Sequence, residues 1–374
     1  MPKIITATLL IIFLLLIVSL FKKEENIPLQ TTTNSQESPR PTEDLALIST
    51  VATNLEVPWA LAFLPDGSIL ITERVGRIRI INKEGKLQEK PIATLSQVEQ
   101  TGEGGLHGIA IHPQYPNPPY IYLYYTYSTG GDNSLNRVSR FIYEDQTLKD
   151  EEVVVDKIPG AIFHDGGRIK FGPDKSLYIT TGDALNPTLA QDKNSLAGKI
   201  LRVKDPSTRS VNSGQASSGQ VQVEVVSYGH RNPQGIAWDK SGRLWGSEHG
   251  QSATDELNLI QPVRNYGWPI TRGDQTQAGM ESPIIHSGSA TWAPAGMAYH
   301  SGSLYFAGLK GQALFQFNIE SKTLKEHFKG QLGRIREVVL GPDNMLYITT
   351  SNRDGRGFPA SDDDKIIKIN PEKL

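Results

Sequence analysis

The sequence predicts an all-β protein, specifically a six-bladed β-propeller built from four-stranded antiparallel blades. Three observations favour this fold: one phrase recurs six times, its copies are spaced like propeller blades, and helical periodicity is scarce. Each copy combines an apolar strand, a turn rich in Pro, Asp, Ser or Gly, and a second strand rich in β-branched and aromatic residues. The copies occupy residues 60–72, 108–124, 168–180, 235–245, 296–306 and 338–349.

The spacing of the copies distinguishes a propeller from other all-β folds. They recur roughly every forty to seventy residues, the period of blades that carry loop insertions. A sandwich need not repeat a phrase, and a solenoid repeats at shorter intervals. A third strand follows several copies, as at 77–81 and 313–317. We expect 47–51 to pair with the last blade, which ends at 365–369, because an open ring would leave two unpaired sheet edges.

The chain begins with a segment that does not belong to the propeller. Residues 4–21 are apolar and free of charge, with lysines on both sides. This pattern predicts that 1–25 form a signal peptide or an uncleaved membrane anchor, and both interpretations place the rest of the chain outside the cytoplasm. Residues 26–44, rich in Thr, Ser, Gln and Pro, are expected to be a disordered linker. The catalytic propeller would then occupy 45–374.

The composition excludes several classes of function. Lys and Arg number 38 and Asp and Glu 40, giving a net charge of −2, so we expect no nucleic-acid partner. The chain contains no Cys, which excludes disulfides, thiolate nucleophiles and cysteine metal sites. The sequence does not decide between a monomer and a homodimer.

Polar side chains concentrate where the repeated phrases begin. His164 stands before the third copy, beside two glycines that permit close approach of a ligand. Glu103 lies in a glycine-rich stretch before the second copy. Arg231 and Asn232 lie between Gly and Pro before the fourth copy, whose hairpin ends at His249. Loops of a rigid β scaffold are the usual place for such a site.

Four cations come from three different blades, in loops that a propeller gathers around one central channel. They are Arg231, Lys310, Arg334 and Arg336. Their convergence predicts an anionic ligand, because Arg pairs with carboxylates through two hydrogen bonds and Lys adds a point charge. A phosphate ligand is less favoured, since no nucleotide-binding glycine loop opens a helix.

Seven phrases, in this order, resemble the soluble pyrroloquinoline quinone (PQQ)-dependent sugar dehydrogenases of the glucose/sorbosone dehydrogenase group. They are VPWALAFLPDGSILITER, GEGGLHGIAIHP, HDGGRIKFGPDKSLYITTGD, GHRNPQGIAW, SEHGQSATDELNLI, NYGWP and GRIREVVLGPD. The resemblance covers residues 50 to 370. It implies a propeller that holds PQQ, a tricarboxylate quinone, with a calcium ion, and that oxidises the anomeric carbon of aldose sugars to lactones.

The resemblance also implies roles for individual residues. His164 resembles the general base. Arg231 and Asn232 resemble the pair that contacts the reactive quinone edge. The cations that hold the PQQ carboxylates correspond to Lys310, Arg334 and Arg336. The backbone carbonyls of Gly250 and Gln251 match the ligands of the PQQ-bound calcium, and a second, structural calcium site is implied at Glu256, Tyr266 and Asp274. The electron acceptor after PQQ is not indicated.

Two positions depart from the family pattern. Glu103 replaces a Gln that is frequent in the family, and it brings a negative charge toward the cofactor unless it is protonated or bonded to an Arg. Phe163 stands where glucose-type members carry Asp, and their long insertions around the sugar are absent, so we expect broad sugar specificity. Two alternatives stay open: a metal-dependent propeller lactonase and a non-catalytic extracellular propeller that binds sugar or protein.

Overall fold

The structure, a computed structural model, describes residues 47–130, 134–207 and 222–374. The predicted signal peptide or anchor at 1–25, including the tether at 4–21, and the predicted linker at 26–44 lie outside these ranges. Within these ranges, no helix is long and apolar enough to cross a membrane. A short helix, α1 (Thr188–Gln191), and a 3-10 turn (Pro371–Lys373) are described beside the strands.

Twenty-five strands make up almost all of the regular secondary structure of the described residues. In chain order they are β1 (Ile48–Ala52), β2 (Pro58–Phe63), β3 (Ile69–Glu73), β4 (Arg77–Ile81), β5 (Ala93–Thr94), β6 (Leu106–Ile111), β7 (Tyr120–Ser128), β8 (Ser134–Glu144), β9 (Thr147–Pro159), β10 (Ile169–Phe171), β11 (Leu177–Thr181), β12 (Lys199–Val203), β13 (Val223–Tyr228), β14 (Pro233–Trp238), β15 (Leu244–Glu248), β16 (Glu256–Ile260), β17 (Arg264–Asn265), β18 (Ile285–His286), β19 (Pro294–His300), β20 (Ser303–Gly308), β21 (Leu314–Asn318), β22 (Thr323–His327), β23 (Ile335–Leu340), β24 (Leu346–Thr350) and β25 (Ile366–Ile369).

These strands form six small sheets, the blades of a propeller. In chain order the blades contain β2 to β5, β6 to β9, β10 to β13, β14 to β16 with β18, β19 to β22, and β23 to β25 with β1. The six-bladed fold predicted from the repeats is confirmed, and each repeated phrase forms the first two strands of a blade. The third blade differs from the prediction in one detail, because β17 adds a fifth strand that runs parallel to β13.

The ring closes as predicted. Strand β1 pairs antiparallel with β25, with Ile48 opposite Ile369 and Thr50 opposite Ile367. The first described strand therefore completes the last blade, and the two sheet edges of an open ring are removed.

The apolar core is divided among the interfaces between neighbouring blades. There are six buried clusters, one for each pair of adjacent blades. Trp59 of the first blade, for example, shares a cluster with Leu106 and Phe141 of the second, while Leu61 shares another with Tyr347 of the sixth. The alternation of side chains along each strand produces this arrangement, because both faces of every blade are buried against a neighbour.

The same geometry explains why polar loops meet. The first strands of the blades contact one another around the axis and, in a propeller, all run in one direction. We call the face of the ring where they begin the upper face. Antiparallel pairing returns the end of each second strand to the same face. Residues just before a first strand and just after a second strand therefore surround one end of the central channel.

Candidate active site

His164 lies on the upper face and is held by a buried carboxylate. Its Nδ1 is 2.7 Å from Oδ1 of Asp183, whose side chain is 1% exposed. Trp268 Nε1 donates a 2.8 Å hydrogen bond to the other oxygen of that carboxylate. A carboxylate only accepts hydrogen bonds, so Nδ1 carries the ring proton and Nε2 carries the lone pair. The imidazole is thereby oriented as a proton acceptor.

The backbone at His164 has an unusual conformation. Its φ of 68° lies in the left-handed region, which non-glycine residues seldom adopt. The carbonyl oxygen of His164 is so close to Gly182 that a Cβ on the glycine would come within 1.8 Å of it. Only glycine at 182 allows the histidine loop to pack against the end of β11, which places the imidazole beside Asp183.

Arg231 and Asn232 lie next to this pair. Arg231 accepts a 2.8 Å bond at its carbonyl from the Asp183 amide, and Asn232 Oδ1 accepts a 3.1 Å bond from the Gly166 amide. In the described structure, Arg231 Nε and Asn232 Nδ2 are buried and have no hydrogen-bond partner. Buried donors of this kind normally have partners, so these two are suited to bind oxygen atoms of a ligand. The structure thus brings His164, Arg231 and Asn232 together around Asp183 and Gly166.

Arg334 and Arg336 converge on one buried carboxylate, that of Asp354. The Arg334 guanidinium donates to it at 2.8 Å, and Arg336 Nη2 lies 3.6 Å from it. Burial lowers the pKa of Arg336 to about 10, which leaves it charged at neutral pH. Lys310 is exposed in the turn after β20, beside Leu309, whose carbonyl accepts a 3.3 Å bond from Arg334.

Arg74 joins this group and was not predicted. It is 9% exposed and contacts the Asp354 carbonyl at 3.5 Å, while its Nε has no partner within the described ranges. Two guanidinium groups thus pair with the Asp354 carboxylate and a third contacts the backbone carbonyl of the same residue, so the cluster carries excess positive charge. Arg74 and Asp354 follow the second strands of their blades, as Asp183 does. The sequence signal for all three is this position at the end of the repeated phrase.

Glu103 connects the two halves of the site. Its carboxylate accepts a 3.2 Å bond from the His164 amide and pairs with Arg356 at 2.7 Å. Burial alone would raise the pKa of Glu103, but nearby His249 and the Arg356 ion pair hold it at about 2. Burial lowers the pKa of His249 itself, so Arg356 is the partner that is charged at neutral pH. Glu103 is therefore ionised and bonded to an Arg, the second of the two arrangements considered from the sequence.

The loop containing Gly250 and Gln251 curls tightly. A Cβ at Gly250 would lie 2.0 Å from the Ala253 carbonyl oxygen. Asp255 closes the loop: its carboxylate accepts bonds from the amides of Gly250 at 2.8 Å and Trp292 at 2.6 Å. Backbone carbonyl oxygens such as those of Gly250 and Gln251 are a type of ligand that suits a hard cation such as calcium.

The residues predicted for a second calcium site do not converge through their side chains. Glu256 is buried and accepts a 2.9 Å bond from the Gly273 amide. Asp274, next in the chain, has a 95% exposed side chain paired with His286. The Tyr266 hydroxyl instead donates to the Leu259 carbonyl. Among the residues that the structure describes, no group of three or more His, Cys, Asp or Glu side chains could hold a metal ion.

Burial and the neighbouring Glu248 raise the pKa of Glu256 to about 8. Glu248 is already engaged, because it accepts bonds from His230 and from the Arg231 amide, both at 2.9 Å.

Comparison with known proteins agrees with this geometry. The family model described as glucose/sorbosone dehydrogenase matches residues 55–359. Aldose sugar dehydrogenase YliI of Escherichia coli K12 is 29% identical over 85% of this chain and 91% of its own length. Quinoprotein glucose dehydrogenase B of Acinetobacter calcoaceticus is 32% identical over 61% of this chain and 53% of its own.

A solved structure, the PQQ-bound form of aldose sugar dehydrogenase from Streptomyces coelicolor, has a TM-score of 0.77 and 37% identity to this chain. The match covers 86% of this chain and 97% of that one. The family model spans most of the propeller, from the chain before β2 into the loop that follows β24. This chain therefore belongs to the glucose/sorbosone dehydrogenase family.

Proposed function

We propose that this protein is a PQQ-dependent dehydrogenase that oxidises the anomeric carbon of aldose sugars to lactones. The observation that carries the proposal is the imidazole of His164, oriented by Asp183, together with neighbouring Arg231 and Asn232, which each keep a buried N–H without a partner among the described residues. Relatives named aldose sugar dehydrogenase and quinoprotein glucose dehydrogenase support the substrate class and the cofactor.

The residues present fit a tricarboxylate quinone. Arg74, Arg334 and Arg336 form a buried cationic cluster with one unpartnered nitrogen, and exposed Lys310 adds a further charge beside it. Each can hold a carboxylate through charge-assisted hydrogen bonds. Arg231 and Asn232 lie in a loop separate from this cluster and would hold the oxygen atoms of the quinone edge. The site therefore offers separate groups for the two chemically different parts of PQQ.

The protein's own residues account for the movement of the proton. PQQ, when bound, supplies an acceptor for the hydride that leaves the anomeric carbon. His164 Nε2 takes the proton of the anomeric hydroxyl, so the C–H electron pair can leave as the carbonyl forms. Asp183 stabilises the imidazolium that results, and burial of Asp183 strengthens this interaction. We propose that the backbone carbonyls of Gly250 and Gln251 hold calcium; the second calcium site expected at Glu256, Tyr266 and Asp274 is not part of the proposal, because their side chains do not converge.

We also propose that the protein acts outside the cytoplasm. The apolar stretch at 4–21, as a signal peptide or membrane tether, supports this location. The electron acceptor would then be an extracytoplasmic partner of PQQ.

A reconstitution experiment tests the proposed function. Purified protein is titrated with PQQ and calcium, while the quinone absorbance and dye reduction with a panel of aldoses are recorded. We expect saturable binding and sugar-dependent reduction that a chelator abolishes. Absence of both would refute the enzyme, and lactone hydrolysis without PQQ would favour the lactonase instead.

The cationic cluster should determine cofactor affinity. A charge-assisted hydrogen bond contributes about 1.5–3 kcal/mol, so we expect Arg334→Ala or Arg336→Ala to weaken PQQ binding about tenfold to a hundredfold, measured by titration of the quinone absorbance. Lys329→Ala, which removes an exposed cation paired with Glu326, is the matched control and should leave affinity unchanged. Unchanged affinity in both arginine variants would exclude them as ligands.

Glu103 should oppose the binding of an anion. Removing one negative charge near an anionic ligand contributes on the order of 1–2 kcal/mol at protein-like dielectric constants, so we expect Glu103→Gln to bind PQQ about tenfold more tightly. Arg356→Gln, which leaves Glu103 without its ion pair, should have the opposite effect. Weaker binding in both variants would show instead that the intact pair forms part of the cofactor site.

A further inference from the structure

The central channel contains a cavity at the end opposite the candidate active site. This cavity, which we call the lower vestibule, has a volume of about 360 Å³ and lies among the C-terminal halves of the first strands. Most of its lining is apolar, with Phe63, Ile111, Phe171, Trp238 and Leu340 among the side chains. The volume and the lining are those of a small-molecule site.

The lower vestibule opens to solvent. Along β2, β10 and β23, residues at the beginning are buried and residues at the end are half-buried. The same gradient occurs at the ends of β6 and β14. Exposure therefore increases toward the lower face, so a ligand can enter from that side without passing the active site.

A buried layer separates the lower vestibule from the active site. Arg168, directly before β10, forms an ion pair with Glu337 on β23, and its Nε donates a 3.0 Å bond to the Gln234 carbonyl. Its guanidinium lies over the ring of Trp59 at 4.2 Å. On the side of this layer that faces the active site, Gln234 Oε1 accepts a 3.5 Å hydrogen bond from Arg336 of the cationic cluster. The two ends of the channel are thus distinct sites.

The lower vestibule contains excess positive charge. Arg168, directly before β10, and Lys170 on β10 both line it, whereas Glu337 is the one carboxylate in its lining. Lys170 Nζ donates to the Met297 carbonyl at 2.6 Å, and the described residues provide no acceptor for its other two protons. Arg168 Nη2 is also buried, with the whole residue 1% exposed, and has no hydrogen-bond partner among the described residues. The cavity therefore has hydrogen-bond donors and a charge that the protein does not satisfy.

A different cavity shows that unbalanced positive charge is not a general property of the spaces between blades. The cavity between the third and fourth blades measures about 520 Å³ and also has an apolar lining. Its cations are paired, Arg202 with Glu224 and Arg243 with Asp239. Their positive charges are already balanced there, whereas in the lower vestibule no carboxylate of the described residues forms an ion pair with Lys170.

We propose that the lower vestibule binds a small amphipathic monocarboxylate, with its alkyl or aryl body among the apolar side chains and its carboxylate on Lys170. The single uncompensated charge favours one carboxylate over a phosphate or a dicarboxylate, which would bring a second negative charge against Glu337. The apolar lining excludes a free sugar as the preferred ligand. Binding here needs neither PQQ nor calcium.

Calorimetric titration of the purified protein with hexanoate, octanoate and 1-octanol tests the proposal. Burial of each methylene corresponds to about a fourfold gain in affinity, so octanoate should bind roughly an order of magnitude more tightly than hexanoate. It should also bind more tightly than 1-octanol. Equal affinity for octanoate and 1-octanol would overturn the role of charge, and a lack of octanoate binding would overturn the site.

Substitutions test whether octanoate binds in the lower vestibule. Lys170→Met should weaken octanoate binding at least tenfold, and Lys170→Arg should restore much of it. Lys149→Met, which removes an exposed lysine paired with Glu144, should have no effect. Leu340→Trp narrows the mouth without changing charge and should also weaken binding, which keeps the test valid if Lys170→Met fails to fold. Unchanged affinity in both Lys170→Met and Leu340→Trp, or competition between octanoate and PQQ, would place the carboxylate elsewhere.

The effect of pH gives an independent measurement. Burial lowers the pKa of Lys170 to about 8, and the charged groups that face it are Glu337 and Arg168. Octanoate stays ionised above neutral pH, so its affinity for the wild type should fall as pH rises from 7 to 9 and Lys170 loses its proton. Lys170→Arg keeps its charge over this range and should show no such fall. A parallel fall in both proteins would contradict binding through Lys170.

Discussion

Replacing His164 by Gln is expected to lower the turnover of aldoses by about two to four orders of magnitude, the usual contribution of a general base. The glutamine keeps a polar side chain of similar reach but cannot accept the proton of the anomeric hydroxyl. PQQ should still bind, because its proposed carboxylate partners Arg334 and Arg336 belong to a different blade. Single-turnover reduction of bound PQQ by a saturating aldose measures the chemical step directly.

The dependence of this rate on pH separates a base from a structural histidine. A protonated imidazole cannot accept a proton, so the wild-type rate should fall as the pH is lowered, and the residual rate of His164→Gln should lack that fall. His300→Gln, which changes a histidine paired with Glu372, is the matched control and should behave as wild type.

A different result would assign the role of general base to another residue. If His164→Gln loses PQQ but keeps its rate per bound cofactor, His164 is a structural residue of the loop. His249 is then the next candidate. Its Nε2 lies 2.9 Å from the Pro294 carbonyl, which leaves Nδ1 as the proton acceptor.

The sequence predicted the fold because each blade carries the same local signals. The phrase from Gly235 to Trp245, for example, became the hairpin of β14 and β15, with the turn at the expected place. The fifth strand of the third blade carried no comparable signal. Strand β17 is two residues long, and the bond from the Val263 amide to the Val226 carbonyl brings the chain alongside β13. Such a contact depends on tertiary structure and has no periodicity.

The site was only partly predictable, for a geometric reason. Asn232 and Arg334 stand directly before first strands, and His164 lies in the loop that leads to β10; glycines and charged residues make these loops conspicuous in the sequence. Asp183 and Asp354 follow second strands, and a carboxylate after a strand is ordinary until its partner is known. Antiparallel pairing brings both kinds of position to the upper face, so they could have been found by comparing the ends of the six copies.

The ion pair between Arg168 and Glu337 should contribute more to stability than any exposed pair. It joins the third and sixth blades across the channel, and both side chains are at most 2% exposed. Removing one partner leaves the other charge buried and unpaired, so we expect Arg168→Met or Glu337→Gln to lower the free energy of unfolding by about 3–5 kcal/mol. The urea midpoint, with the slope of the transition, measures this change.

The double variant Arg168→Met/Glu337→Leu distinguishes an unpaired charge from lost packing. Replacing a buried ion pair by apolar residues is often neutral or stabilising, so the double variant should recover most of the stability lost in the single variants. Arg202→Met, at an ion pair whose side chains are 29% and 24% exposed, should change stability by no more than about 1 kcal/mol. If the losses of stability in the two single variants add in the double variant, the pair stabilises the protein through packing against Trp59 and Gln234. Its charges would then make no net contribution to the free energy of unfolding.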